Sequence, residues 1–226
     1  MSMRRVLREQ SLTLFFGTIF LAALIGQAIA GHAAYNQDQI AHGEAAVSLG
    51  RYVTSSSFWN AVMENWQSEY LQFMLFMLAT VWLLQRGSPE SKELDKAGRE
   101  SKKEQKVEYA ADPESPLWAR VGGLRTAVYS NSLLILMSAI FFGSWFAQSV
   151  TGWTEFNQQQ HEHHDAAISW LSYIGNADFW EHTLENWQSE FLAVGSFAAF
   201  TIFLRQRGSP ESKPVGAPHK ATGIEG

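Results

Sequence analysis

The 226-residue chain has no cysteine, which excludes structural disulfides and thiolate chemistry outright. It has no phosphate loop, dinucleotide fingerprint, nucleophile elbow or HExxH motif, and its glycines are scattered. The repeated E-x-x-H of a di-iron bundle is missing too. The formal charge of −5 carries no message about nucleic acid, because the basic residues sit where membrane topology would need them. No nucleic-acid partner is expected.

Charge is missing from two long stretches. Residues 12–30 hold none and few polar groups, and residues 126–151 are similar. A hydrocarbon core of about 30 Å takes roughly 20 helical residues, so both are long enough to span it. A soluble helix would show one polar stripe, and these hardly do. Residues 70–85 and 191–204 are shorter apolar stretches, each preceded by FW…ENWQSE. Asp178 with Glu181 reads as a capping box, and Ser57 stands in the place of Asp178 earlier in the chain. Helices are therefore expected to start near Phe58 and Phe179. About 26 residues at 1.5 Å each cross the core with a turn or two outside.

What is present is a duplication. Residues 11–92 align with 132–213 at a constant offset of 121, without a gap. ENWQSE occurs at 64–69 and 185–190, and RGSPESK at 86–92 and 207–213. Of 17 basic residues, 16 fall before the first apolar stretch, between the second and third, or after the fourth; only Arg51 falls in an expected outer loop. This positive-inside pattern puts both termini in the cytoplasm. The competing reading of the N-terminus is a signal peptide, with Arg4, Arg5 and Arg8, an apolar run and Ala28-Ile29-Ala30. Against it, the equivalent segment 133–152 has the same length and lies mid-chain.

The expected fold is thus all-α: a polytopic membrane protein whose four transmembrane helices form two parallel-repeated antiparallel hairpins. The first hairpin is 1–92, with outer loop 31–57 and a short helix around 42–52. Residues 93–125 are a charged cytoplasmic linker and membrane re-entry, either disordered or an exposed helix, broken by Pro113 and Pro116. The second hairpin is 126–213, with outer loop 152–178. The Gly- and Pro-rich tail, 214–226, is expected to be disordered.

The second helix of each hairpin keeps Asn65, Glu69, Phe76, Thr80 and Leu83 as Asn186, Glu190, Phe197, Thr201 and Leu204, all on one face. The reverse face changes: Phe73 to Val194, Met74 to Gly195, Met77 to Ala198. The kept face is expected inward, and the changing face against lipid or another copy in a homo-oligomer. Counting about 1.5 Å per residue from Arg86 puts Glu69 just inside the outer edge of the hydrocarbon, with Trp66 and Trp187 as interfacial anchors. Gln27 and Gln148 reach a similar depth. A carboxylate there needs a partner or water, and no lysine or arginine is at hand. Glu69 and Glu190 facing each other would raise one pKa and suit proton or cation handling. Solvated residues near a helix start, where negative charge suits the dipole, are the bland alternative for both.

The outer loops carry histidine. His42 matches His163, followed by Glu44 and Asp165, and the second copy adds His161, Glu162, His164 and, on the next helix, His182. Imidazole and carboxylate together suit a transition metal; the alternative is solvated histidines. His32 has no histidine counterpart. In RGSPESK, Arg86 and Arg207 anchor the inner face, Gly87 and Gly208 end helices, and Pro89 and Pro210 stop continuation. Identity through Lys92 and Lys213 exceeds that need and suggests a shared contact. Asn36 with Asn157, and Tyr52 with Tyr173, are kept as loop hydrogen-bonding groups.

The doubled hairpin with FW…ENWQSE and RGSPESK resembles an uncharacterised family of small bacterial membrane proteins, a domain of unknown function. The resemblance covers nearly the whole chain except the linker and tail. It implies a multi-pass protein of the bacterial inner membrane and supplies no activity. Three functions stay open: a structural or interaction membrane protein, a small proton- or cation-coupled channel or transporter using Glu69 and Glu190, and a membrane metalloprotein using the outer-loop histidines. The lipid bilayer is the one partner expected outright. The ligand is unknown, no catalytic residue is assigned, and a cofactor is not expected beyond that transition metal.

Overall fold

The computed structural model describes residues 3–101 and 114–224. Among these the chain is all α, with nine helices: α1 (Met3–Glu9), α2 (Ser11–Ala41), α3 (Leu49–Tyr52), α4 (Ser56–Trp82), α5 (Leu117–Arg120), α6 (Gly123–Tyr129), α7 (Ser132–Glu162), α8 (Trp170–Ile174) and α9 (Ala177–Phe203). Helices α2 and α7 have 31 residues each, and α4 and α9 have 27. The members of each pair begin 121 residues apart.

The expectation of four membrane-spanning helices is corrected. Among the described residues two helices, α2 and α7, are long and apolar enough to cross a membrane. Helices α4 and α9 are not, because ENWQSE loads their first halves with Asn, Gln, Ser and Glu. Some of those groups join α4 to α9: Trp187 Nε1 donates to Gln67 Oε1 at 2.7 Å, and Asn186 Nδ2 to Glu64 Oε1 at 3.2 Å. These are the packed polar contacts of a helix bundle, so two hairpins of four spans do not describe the chain.

The helix limits also differ from expectation. Helices α2 and α7 run through the first ten or so residues of the expected outer loops, to Ala41 and Glu162. No proline interrupts them there, and the one glycine in each stretch has a packing reason. A Cβ on Gly31 would overlap the Tyr52 hydroxyl, and one on Gly152 would lie 2.5 Å from the Tyr173 hydroxyl. The cap of α9 is Asn176 rather than Asp178; its Oδ1 accepts from Asp178 N at 3.0 Å. In α4 the equivalent Ser55 Oγ accepts from Phe58 N at 3.3 Å. The α4 and α9 helices end at Trp82 and Phe203, so Gly87 and Gly208 are turn residues, at φ +88° and +79°, rather than helix ends. Lys102, Lys103, Lys106 and Pro113 of the linker lie outside the described residues.

The chain divides into two units, Met1–Val62 with Gln148–Ile174, and Met63–Ala147 with Gly175–Gly226. The first is held at its loops by two equivalent clamps. Asn36 Oδ1 accepts from Val47 N at 2.8 Å and its Nδ2 donates to Val47 O at 3.0 Å. Asn157 repeats both bonds with Ile168, at 2.8 and 3.0 Å. An aromatic ring reaches the same carbonyl in each case: His32 Nε2 lies 2.7 Å from Val47 O, and Trp153 Nε1 donates to Ile168 O at 2.7 Å. His32 thus has a counterpart after all, a tryptophan that supplies an N–H. Tyr52 and Tyr173 are buried beneath the two loops. Burial, Glu155 and Tyr35 together push the Tyr52 hydroxyl above the usual tyrosine pKa.

The second unit contains most of α4, the first half of α7 and all of α9. Its RGSPESK turns are alike in detail. Ser91 Oγ accepts from Gln85 N at 2.9 Å, and Ser212 Oγ from Gln206 N at 2.9 Å. Ser88 Oγ caps Glu90 N, and Ser209 Oγ caps Glu211 N, both at 3.2 Å. The serines direct their oxygens to backbone N–H groups freed where the helix stops.

The tail, read from composition as disordered, has a defined course as far as Ile224. Lys213, only 1% exposed, aims its ammonium at the carbonyls of Gly87, His219 at 2.8 Å and Ala221 at 3.2 Å. Gly87 N donates to Thr222 Oγ1 at 2.9 Å, and Gly223 N to Ser88 O at 3.1 Å. Backbone polar groups of both RGSPESK and the tail are satisfied by this contact, which is why a Gly- and Pro-rich segment can be ordered without an apolar stripe.

Candidate functional site

The chemistry-bearing groups of the second unit gather where α4 meets α9. Gln67 and Ser68 of α4 are buried, at 0% and 2% exposure, and Thr183 of α9 is buried at 0%. Phe179, Thr183 and Trp187 are spaced one turn apart on α9 and so share a face. Trp145 of α7 packs along that face. It stacks on Phe179 at 6.2 Å and 20° and lies 5.8 Å from the Trp187 ring. Trp187, expected as an interfacial anchor, is half-buried and donates to Gln67. That bond also fixes which end of the Gln67 amide is oxygen. Three polar atoms in this cluster are buried and unpartnered: Gln67 Nε2, Trp145 Nε1 and Thr183 Oγ1.

One turn toward the α9 N-terminus, Glu64 is gripped by two residues of α9. Asn186 donates to Glu64 Oε1, and His182 Nδ1 lies 3.1 Å from the same atom. His182 Nε2 is 3.9 Å from Asp178 Oδ1. The side chain of Glu64 is 14% exposed, so this is the most enclosed ion-pair partner in the cluster.

The residues expected to form a membrane carboxylate site are placed differently from one another. Asn65 and Glu69 lie on an exposed face of α4, and Leu83 is exposed as well. The buried α4 positions are Phe58, Val62, Gln67, Ser68 and Leu71; all but Val62 are kept in the second copy, so the inward face is a kept one, but not the face of Asn65 and Glu69. On α9, Asn186 and Glu190 are half-buried, Phe197 and Leu204 are exposed, and Thr201 is buried. The Glu190 carboxyl is pushed above the usual range, first by burial and then by the charge of Glu69. Gln27 is half-buried and Gln148 buried with Oε1 unpartnered, both in the other unit. Trp66 is half-buried on α4.

The outer-loop histidines turn out to finish helices. Helix α7 unwinds over His161, His163, His164 and Asp165, all exposed. His164 sits at φ +62° where the equivalent residue is Gly43 at φ +80°. Asp165 N then bonds Gln160 O at 2.8 Å, as Glu44 N bonds Gln39 O at 2.8 Å. This is a left-handed helix cap, and His164 holds the position that glycine usually takes. His42 turns Nδ1 to the Asp38 carbonyl at 3.0 Å. Among the described residues no three His, Asp or Glu side chains come together in a way that could hold a metal ion.

The sequence reading missed Gln67, Trp145 and Thr183. For Trp145 and Thr183 a signal was available in the differences between copies. Val62 and Leu24 stand where the second copy has Thr183 and Trp145; Gln67 is matched by an identical Gln188, which is exposed, so no difference between copies marked it.

A family model described as a domain of unknown function (DUF6766) matches residues 3–224. No curated protein and no solved structure matches the chain.

Proposed function

We propose, for a chain that belongs to the domain-of-unknown-function family DUF6766, a structural or interaction role at a bacterial inner membrane, anchored through α2 and α7. The observation that carries this reading is the state of α2. None of its apolar window is buried. Leu12, Phe15, Phe16, Ile19, Phe20, Leu21, Ile25 and Ile29 all stand exposed. At roughly 1.5–3 kcal/mol for each such side chain removed from water, lipid around this helix is worth on the order of 10 kcal/mol. Arg4, Arg5 and Arg8 precede α2, the basic flank of a cytoplasmic side.

The polar groups favour a structural role over transport. Most of those with assigned bonds act on backbone or join helices: the two Asn clamps, the RGSPESK serines, Lys213, and the Glu64–Asn186–His182 contact. Glu69 is exposed rather than enclosed, which weighs against a proton- or cation-coupled pair. The test is fractionation of the expressed chain. Wild type is expected in the membrane pellet after alkaline carbonate washing. A variant with Phe16, Ile19 and Phe20 of α2 and the exposed Leu136, Phe142 and Phe146 of α7 each changed to Asp is expected to leave it. Wild type recovered in the soluble fraction would defeat the proposal.

A further inference from the structure

We propose that Gln67, Trp145 and Thr183 bind an internal water molecule, at a site where Gln67 of the first copy meets Trp145 and Thr183 of the second, whose counterparts in the first copy are Leu24 and Val62. The argument starts from cost. A buried donor without a partner costs about 1–3 kcal/mol. Three of them, gathered on one aromatic-lined face, would cost several kcal/mol, a large share of the net stability of a domain. Gln67 and Thr183 have no exposed surface through which bulk water could answer them.

Packing does not require these donors. Thr183 occupies the helix position that Val62 fills in the first copy, and Val62 is buried at 3%. Valine has nearly the shape of threonine, so the hydroxyl is the difference. Trp145 likewise stands where the first copy has Leu24, and it brings an indole N–H to the cluster. The second copy thus has two polar groups at positions where the first copy has purely apolar side chains.

The chemistry of the set selects the occupant. Gln67 Nε2 and Trp145 Nε1 only donate, and Thr183 Oγ1 can do either. The occupant must therefore offer an accepting oxygen. A cation would face N–H groups. An anion would sit within a turn of Glu64, whose carboxylate already has Asn186 and His182 as partners. A neutral molecule with a two-sided oxygen fits, and water with three polar partners is the usual case in folded proteins.

The test uses the full chain in detergent micelles with 15N-labelled tryptophan. The Trp145 indole resonance is identified as the one missing from W145F. In the wild type, that indole N–H is expected to show a cross-peak to long-lived water, and T183V is expected to lose it and to melt at a lower temperature. T183S, which keeps the hydroxyl, is expected to retain both. No water cross-peak in the wild type, together with a higher melting temperature for T183V, would overturn the proposal. So would release of an organic molecule, one per chain, on denaturation.

Discussion

Lys92 and Lys213 close the same seven-residue motif, yet their replacement should have very different costs. The Lys213 ammonium is enclosed and donates to the carbonyls of Gly87, His219 and Ala221. Hydrogen bonds to a charged group contribute about 1.5–3 kcal/mol each. Burial works against the charge, and with Arg205 nearby it holds the Lys213 pKa below the usual lysine value. Lys213→Met removes the burial cost along with the bonds, and the freed tail carbonyls can turn to water. The net expected loss is about 2–3 kcal/mol, which corresponds to a fall of roughly 4–12 °C in melting temperature for a chain of this size. Lys92 has a 26% exposed side chain and, among the described residues, the Gly98 carbonyl at 2.8 Å and the Glu100 carboxylate as partners. An exposed pair of this kind contributes about 1 kcal/mol or less, so Lys92→Met should shift the melting temperature by a few degrees at most. Limited proteolysis provides the second readout: Lys213→Met should release the tail after Pro214 to cleavage, and Lys92→Met should not. Equal destabilisation by the two variants, or a protease-resistant tail in Lys213→Met, would refute the latch.

Gly152→Ala puts a methyl 2.5 Å from the Tyr173 hydroxyl and 3.0 Å from Asn60 Oδ1, and should cost about 1–3 kcal/mol in chemical denaturation; adding Tyr173→Phe should recover part of it. His164→Gly relieves a left-handed backbone and should stabilise the protein by about 1 kcal/mol, read as a higher denaturation midpoint. Asn157→Ala loses both bonds to Ile168 and should cost about 2 kcal/mol, with faster amide exchange at Ile168. The Glu190 carboxyl is held above its ordinary range, so the folded state keeps that proton while the unfolded chain has released it. Stability should be greatest below the ordinary glutamate pKa and fall as pH rises toward the raised value. Glu190→Gln should flatten that part of a stability-versus-pH curve.

How much could be read in advance depended on whether the determinant was local. The start of α2 and the starts and lengths of α4 and α9 followed from apolar runs and from the offset of 121, with Ser55 and Asn176 displacing the expected caps by only two residues, whereas α2 and α7 run on past their apolar stretches to Ala41 and Glu162. The clamps at Asn36 and Asn157 were visible as kept residues, although their targets, the backbones of Val47 and Ile168, were not. Identity between copies does not by itself pick out the inward face of α4: Asn65 and Glu69 are kept and exposed, Phe58, Gln67, Ser68 and Leu71 are kept and buried, and the buried Val62 becomes Thr183. Hydropathy and length proposed two more spans than the structure supports, since polar groups such as Gln67 and Glu64 make bonds between helices that no single-segment reading can see. The tail was misread for the same reason. Its order rests on Lys213, which joins the tail's own carbonyls at His219 and Ala221 to that of Gly87, 126 positions away.

The account depends most on α2 being surrounded by lipid. Because the chain has no native cysteine, single substitutions such as Ile19→Cys and Ile25→Cys can carry a spin label without background. In reconstituted bilayers both labels should relax readily with oxygen and be shielded from a water-soluble nickel chelate. Ready access of the nickel chelate to both positions would contradict it.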